Sequence, residues 1–546
     1  MIHYYITNAS SRPLPFTTEL CKGMETLVYI CIACLVTLTV LWAGHHEWVS
    51  RRRRRSSPLP PGPFPLPILG NLPQLMIAGA AQHRYFASLA KKYGPIFCIQ
   101  LGSKPVIVVS SSSLARAILH THDKTFAGRP PLPNMRLLVG DKYGDKMLAF
   151  LPYGNEWQET RKLYIHHLFS PRRIEEFHSG IISHEIHRLI HTRLIPATNS
   201  GDAIDLTACT QNLVEDIICR AVMSRRPESF INESMTKEMA RSSFTQGLHE
   251  FEQLVGAPLI SEFSPFLRLL DYNTKACMKK WKCWFDDFME RIINEREKYP
   301  LCSEECSQDM LGIFMSPENK LSKGFIKTLL MDLFFAGIES TSTAIDWVMC
   351  EVLSNPRVIG KLREELQTVV GRREGDVVEV SDIPQLPYLR AVVKETLRVH
   401  PPAPLMIPRM SLHACEDVAG YGYVIPKGTR VILNVWAIAR DPNVWMDDPD
   451  SFVPERFLED AYSSLDVKGK HFEVLPFGSG RRMCPGMNLA LPIVEMTLAN
   501  LVHAFDDWKV VLPLGQNSLD TSDKCTVSCR RAHPLLVVPI KKATIA

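Results

Sequence analysis

The sequence predicts a mainly α fold with small β-sheets, one large globular unit behind an N-terminal transmembrane helix. Three observations carry that reading. Helical patterns dominate the middle of the chain, and the longest, "GFIKTLLMDLFFAGIESTSTAIDWVMCEVLSNP" (Gly324–Pro356), is apolar almost all round. A helix hydrophobic on every side is a buried one, so this segment is expected to cross the core and to stop at Asn355-Pro356. Only two strand–turn–strand patterns stand out, which keeps the sheets minor. Finally, "LVYICIACLVTLTVLWA" (Leu27–Ala43) is an apolar run close to bilayer-spanning length, roughly 17 to 20 residues.

Residues 1–26 read as an N-terminal extension; Met24 opens "METLVYI", and the residues before it are expected to have no structural role. Residues 27–48 are the transmembrane anchor. Five arginines, Arg51–Arg55, follow it directly, and basic residues are sparse upstream. Such asymmetry retains the downstream side in the cytosol. A cleaved signal peptide has the opposite layout, with its positive charge before the apolar stretch and small residues after it. Residues 49–71 form a basic and proline-rich linker. Its "SSPLPPGPFPLPILGN" (Ser56–Asn71) is a semi-rigid strap, because proline fixes φ.

Residues 72–546 make up the globular unit. "PIFCIQLGSKPVIVVSS" is expected to form a hairpin around Gly102–Pro105. "YGYVIPKGTRVILNVWAIA" is expected to form a second one, turning at Pro426-Lys427-Gly428. With 46% hydrophobic and 22% charged residues the chain is compositionally ordinary for a globular protein. A net charge of +4 is too small to argue for nucleic acid and no DNA- or RNA-binding motif is present, so no nucleic-acid partner is expected. Fifteen cysteines in so long a chain lack the density of a secreted disulfide scaffold, so most are expected to be thiols in a reducing cytosol. "CSEEC" (Cys302, Cys306) lacks a second Cys or His pair and does not make a zinc site. "GSGRRM" begins like a dinucleotide fingerprint, but Met483 replaces the third glycine and no βαβ pattern surrounds it.

The stretch that demands a chemical explanation is "LPFGSGRRMCPGMNLALP" (Leu475–Pro492). Cys484 sits there among Gly478, Gly480 and Gly486, beside Arg481 and Arg482, before a helix-like run. Cationic neighbours lower a thiol's pKa, and the thiolate is the metal ligand and the nucleophile. Glycines let backbone approach a flat object closely, and Pro485 suits the first turn of the following helix. These residues alone leave open a structural cysteine or a reactive one.

Phe477, Gly480, Arg482, Cys484 and Gly486 reproduce F-x-x-G-x-R-x-C-x-G, and on that motif the chain resembles the cytochrome P-450 family. Three further segments extend the resemblance in the expected order. "KETLR" and "FVPERF" (Glu395, Arg398, Arg456) resemble the E-x-x-R/P-E-R-F network behind the haem loop. "GNEWQETRK" places Trp157 and Arg161 one turn apart, as in the W-x-x-x-R helix. "FFAGIEST" resembles A/G-G-x-D/E-T, with Ser340 where threonine is usual.

The resemblance spans nearly the whole chain from about Pro60, and its wording is most like plant microsomal members. It implies a cytochrome P-450-type haem-thiolate fold for the catalytic domain, residues 72–546. It implies haem b as cofactor, with Cys484 as metal ligand. Phe477, Trp157, Arg161, Arg482 and Arg409 are the implied cofactor-binding residues, and Glu339 with Ser340 the implied proton-delivering pair. Small residues at 336–337 are expected to let the helix bulge and loosen a backbone bond.

The implied activity is hydroxylation of a hydrophobic small molecule, a plant specialised metabolite, using dioxygen. Electrons would come from an NADPH-cytochrome P-450 reductase at the endoplasmic reticulum membrane. Lys162, Lys468 and Lys470 are candidates to steer an acidic flavin domain. Substrate is expected against Met147–Phe150, the Phe244–Ile260 region, Phe334–Ala336, Leu405–Ile407 and Thr526–Val527. Two other readings stand beside this one: a reductase-independent haem-thiolate isomerase or dehydratase, against which Glu339 and Ser340 argue, and a non-catalytic haem-binding protein.

Overall fold

In the computed structural model, which describes residues 59–540 except 141, 231–234, 264, 300–308, 372–376, 447, 460 and 514, helices surround one long central helix. The expected extension, anchor and arginine run, with Cys302 and Cys306, lie outside the described residues. Among the described residues no helix is long and apolar enough to cross a membrane.

The described helices of 12 or more residues are α1 (Gln82–Tyr93), α2 (Asn155–His167), α3 (Leu206–Met223), α4 (Lys237–Gly256), α5 (Tyr272–Lys298), α6 (Lys323–Ser354), α7 (Pro356–Val369), α8 (Pro387–Val399) and α9 (Met487–Ala504). α6 is the expected core-crossing helix, 32 residues long. Ser322 caps its start by accepting from the Phe325 N–H, and Asn355 ends it because Pro356 opens α7. α3 and α9 pack along α6, and the buried side chains of all three belong to one hydrophobic core. α4 and α5 cross closely at Gly247: a Cβ there would lie 1.9 Å from the Trp284 ring. The Gly247 carbonyl accepts the Trp281 indole N–H at 2.8 Å.

The strands are β1 (Ile96–Leu101), β2 (Lys104–Val109), β3 (Ile204–Asp205), β4 (Arg409–Met410), β5 (Arg430–Leu433), β6 (Asp507–Val510), β7 (Asp523–Cys525), β8 (Cys529–Arg531) and β9 (Leu536–Ile540). They form three sheets, ordered β1-β2-β5-β4, β3-β9-β6 and β7-β8. β1 and β2 are the expected first hairpin, with Ile96 opposite Val109. The second expected hairpin is corrected. Of "YGYVIPKGTRVILNVWAIA" only Arg430–Leu433 is a strand, and it pairs with β4 and, in parallel, with β2. Ile425 makes one isolated bridge to Cys415, and Val435–Ile438 turns into a short helix because Asn434 caps the Ala437 N–H. The strap, where described, lies on the body: the Cys98 N–H donates to Pro61 O at 2.8 Å, and Gly70 bridges to Leu101. Among the described residues one disulfide is present, Cys525–Cys529, an exception to the expected thiols.

Candidate active site

The cysteine loop is folded by its own backbone. The Cys484 N–H donates to Phe477 O at 3.0 Å, closing a turn that contains a short helical segment at Gly480–Arg482. Gly478 and Gly480 both hold φ at 70°, a left-handed value that favours glycine. The close approach expected of the glycines is made partly to protein. A Cβ on Gly480 would fall 2.2 Å from Leu119 O, whereas one on Gly486 would make only ordinary contacts, 3.5 Å from the Phe169 ring and 4.0 Å from Cys484 Sγ. α9 begins at Met487, so Pro485 stands just before the helix rather than in its first turn.

Cys484 is enclosed by the protein, yet its thiol faces open space and not packed side chains. Its charge environment corrects the sequence reading. Arg481 turns outward to Tyr153 and Asp123, and Arg482 spends its donors on carbonyls. The groups that favour the thiolate are the Gly486 N–H first, then the Arg161 guanidinium and the Met487 N–H. Burial outweighs them and raises the thiol's pKa. A bound metal ion reverses that balance, because coordination deprotonates a thiol outright.

Above the loop lies a group of guanidinium side chains. Arg482 donates to Ala127 O (2.8 Å) and Leu151 O (2.6 Å), and its guanidinium sits 4.7 Å from the Trp157 ring centroid. Arg161 stacks on the same ring at 5.4 Å, so Trp157 lies within cation–π range of two cations. Arg409 donates to Ser479 O at 3.1 Å. Sequence reasoning missed a further member, Arg129, in "FAGRPP". It is buried and donates to Ala149 O, Ile407 O and Pro408 O at 2.8, 2.6 and 3.0 Å. The signal was a lone arginine between apolar residues and two prolines, where charge is rarely placed without a partner.

These cations are poorly neutralised. Burial, together with Arg409 and Arg482, depresses Arg129. Burial pulls Arg409 down to about 10 and, with Arg409 and Arg161 nearby, Arg482 to about 9. The nearest acid, Asp123, stands 3.7 Å from Arg409. Arg409 Nη1 and Asp123 Oδ1 are both buried without a hydrogen-bond partner. The arrangement suits an anionic group with several oxygen acceptors.

α6 supplies the opposite kind of surface. From Ile326 to Val352 it is almost wholly buried, but Ala336 and Ser340, one turn apart on one face, are exposed and Gly337 is half-buried between them. An exposed face in mid-core is the wall of an internal space. The helix runs without a bulge through this point, contrary to expectation. Ser340 Oγ donates to Ala336 O at 2.7 Å, the carbonyl its own N–H addresses in a regular helix. Glu339 points the other way. It is buried, and its Oε1 lies 3.4 Å from His249 Nδ1 on α4 without a hydrogen bond. His249 also meets Arg530 and lines a surface cleft with Arg241 and Thr245.

Behind the loop, Glu395 and Arg398 form a fully buried bidentate pair on α8, at 2.6 and 2.8 Å. Arg398 donates onward to Ala439 O, Pro449 O and Ser451 O. Glu395 accepts the Val453 N–H, with Arg456 3.5 Å away. Every charge is thus paired or bonded to backbone, as burial requires. The expected substrate segments divide. Phe244 and Phe334 pack edge to face at 5.5 Å within the core, and Met147 is buried. Ala149, Ala336, Leu405–Ile407, Thr526 and Val527 keep accessible surface. Lys162, Lys468 and Lys470 are exposed.

Comparison with known proteins gives one answer. The family model described as cytochrome P-450 matches residues 60–520. A 3-beta-hydroxylase of Tanacetum parthenium is 34% identical over 95% of this chain and 99% of its own length. A ferruginol synthase of Isodon rubescens is 34% identical over 95% of this chain and all of its own. A flavonoid 3'-monooxygenase of Crocosmia x crocosmiiflora is 38% identical over 90% of this chain and 94% of its own.

Proposed function

This chain belongs to the cytochrome P-450 family, and from that premise we propose that it is a membrane-anchored monooxygenase hydroxylating a hydrophobic plant metabolite. The family's enzymes are monooxygenases that carry haem b with an axial cysteine thiolate. The residues of this chain fit that group. The observation that carries the reading is an enclosed thiol facing open space, beside buried guanidinium groups of which Arg409 has an unsatisfied donor. Haem b offers one iron for the sulfur and carboxylates for the cations. Cys484 would ligate the iron, and Arg129, Arg161, Arg409 and Arg482 would hold the carboxylates. Trp157 keeps two of those guanidinium groups in place, and Phe477 anchors the turn through its carbonyl.

When bound, the thiolate-ligated haem supplies reductive activation of dioxygen. The chain relays from solvent the protons that this reaction consumes. Ser340 holds a hydroxyl on the exposed face of α6, and by rotating away from Ala336 O it can bind an ordered water. Glu339 meets His249, whose cleft opens to solvent, and this supports a path from the surface to the helix. Ala149, Ala336, Leu405, Ile407 and Val527, apolar residues that keep accessible surface, support a hydrophobic substrate. The relatives' names, among them a ferruginol synthase and a flavonoid 3'-monooxygenase, support a plant small molecule.

Electrons are assigned to an NADPH-dependent flavoprotein reductase docking near Lys468 and Lys470, and the endoplasmic reticulum to the arginine-flanked apolar run. The test is a microsomal preparation with reductase, NADPH and a plant metabolite library under isotopically labelled dioxygen. One labelled oxygen atom in a product, dependent on NADPH, is expected. Turnover of a peroxide without reductase would instead identify the isomerase reading.

A further inference from the structure

Away from the cysteine loop, the N-terminal turn of α1 meets the β7–β8 hairpin. His83, Asp523, Cys525 and Cys529 converge there, with one ligand atom from each lying within 4.8 Å of all the others. His83 is buried to 1% exposure; its Nε2 stands 3.4 Å from Asp523 Oδ2 without a hydrogen bond, and its Nδ1 is 3.6 Å from Cys525 Sγ. Cys525 and Cys529 face one another across the hairpin.

We propose that these four side chains form a structural site for a zinc-like divalent metal ion, clamping the hairpin to α1. The donor set argues for it. Two sulfurs, an imidazole nitrogen and a carboxylate are the ligands zinc takes, and a C-x₃-C spacing is within the range of its structural sites. Tetrahedral bonds of about 2.0 to 2.3 Å hold neighbouring ligand atoms roughly 3.3 to 3.8 Å apart. Four protein ligands leave no open position, so the role is structural. The outer partners are in place as well. Arg84 donates to Asp523 at 2.6 Å, which balances the excess negative charge of two thiolates and a carboxylate. Asn434 donates to the His83 carbonyl at 2.8 Å, and Trp436 packs edge-on against the imidazole.

The two sulfurs are joined in the structure. Metal binding needs that bond reduced first: two equivalents of a thiol such as glutathione supply two electrons and two protons and leave as their own disulfide. The ion then displaces the two thiol protons to solvent. In a reducing compartment the dithiol is the prevailing form, so the metal-bound state is the working one. The site has a consequence for the internal space. Thr526 and Val527, at the hairpin tip, lie between the two ligand cysteines, and Glu252 of α4 binds Thr526 and the Ser528 N–H. Fixing the sulfurs fixes how that tip is presented.

The experiment uses the full chain, expressed in zinc-supplemented medium without a histidine tag and dialysed with reductant against a mild chelator. Zinc and iron are counted by mass spectrometry, and the zinc X-ray absorption edge is recorded. One zinc per iron, with sulfur neighbours at about 2.3 Å and nitrogen or oxygen near 2.0 to 2.1 Å, is expected. Cys525→Ser and Asp523→Asn should each lower the zinc content while leaving iron content and the carbon-monoxide spectrum unchanged. Should Cys525 and Cys529 be recovered as a disulfide, or as thiols that alkylate freely in metal-replete protein, the site does not exist. Zinc retained in full by both variants would overturn it equally.

Discussion

Position 340 carries a serine whose hydroxyl is already bonded to Ala336 O at 2.7 Å, so the part proposed for it in proton delivery requires that bond to break. Ser340→Ala removes the hydroxyl and leaves the helix intact. Product formed per NADPH should fall severalfold while the carbon-monoxide spectrum is preserved; unchanged coupling would end the relay assignment. Arg129 gives a second prediction at this scale. Its three carbonyl bonds are charge-assisted, each worth about 1.5 to 3 kcal/mol, and truncation strands the acceptors. Arg129→Ala should therefore lower haem occupancy, read as the Soret-to-protein absorbance ratio, and the ratio of a merely surface arginine would not move. The sequence carried Cys484, Trp157, Arg161 and Arg482 because fixed motifs name them. Arg129 was hidden, since only the folded chain brings it beside Arg409 and Arg482. The cation beside the thiol was also misjudged: Arg481 turns outward, Arg482 is taken up by backbone carbonyls, and Arg161 arrives from another helix.

α6 is the element that binds these pieces together. Its Asp332 accepts the Leu148 N–H at 3.0 Å and the Tyr164 hydroxyl at 3.3 Å, tying the helix to the segment that receives Arg482. Burial pushes the Asp332 carboxyl from 3.8 up to about 6. A carboxyl raised on folding stabilises the fold while protonated. That contribution is complete below the unfolded value near 3.8 and is lost as the pH rises through about 6. Near neutral pH the ionised group opposes folding. Asp332→Asn should thus raise the unfolding free energy measured in urea at neutral pH, by up to about 3 kcal/mol, and change it little in acid. An equal gain at both pH values would contradict the burial argument. Hydrophobicity on every face announced this helix and its proline stop. Composition did not announce that Ala336 and Ser340 would stay exposed, because a core-crossing helix shows the same composition on a cavity wall as in packed core; only the family resemblance of "FFAGIEST" singled them out. The second hairpin failed for a related reason: Arg430–Leu433 pairs with strands far away in the chain, and Asn434 caps a helix where alternation suggested a strand.

Across the whole molecule the proposed function depends on two faces, an enclosed cleft for chemistry and an exposed surface carrying Lys468 and Lys470 for electron supply. Lys468 and Lys470 stand exposed in the segment preceding the cysteine loop. Reversing both to glutamate should slow reductase-driven NADPH oxidation severalfold and flatten its salt dependence, since steering by exposed charge is screened within about 10 Å at moderate ionic strength. If the rate and its salt dependence are those of the parent protein, the reductase docks elsewhere. The global architecture was legible from the motif order, whereas the packing of α4 and α5 over α6 was not. That packing depends on a contact, Gly247 against Trp284, with no sequence signature. The whole account depends on the bond proposed for Cys484. Its most direct test is the reduced, carbon-monoxide difference spectrum of the parent protein beside Cys484→Ser, with iron counted in each. A red-shifted thiolate band in the parent that disappears in the variant is the result required; the same band in both would refute sulfur ligation at this residue.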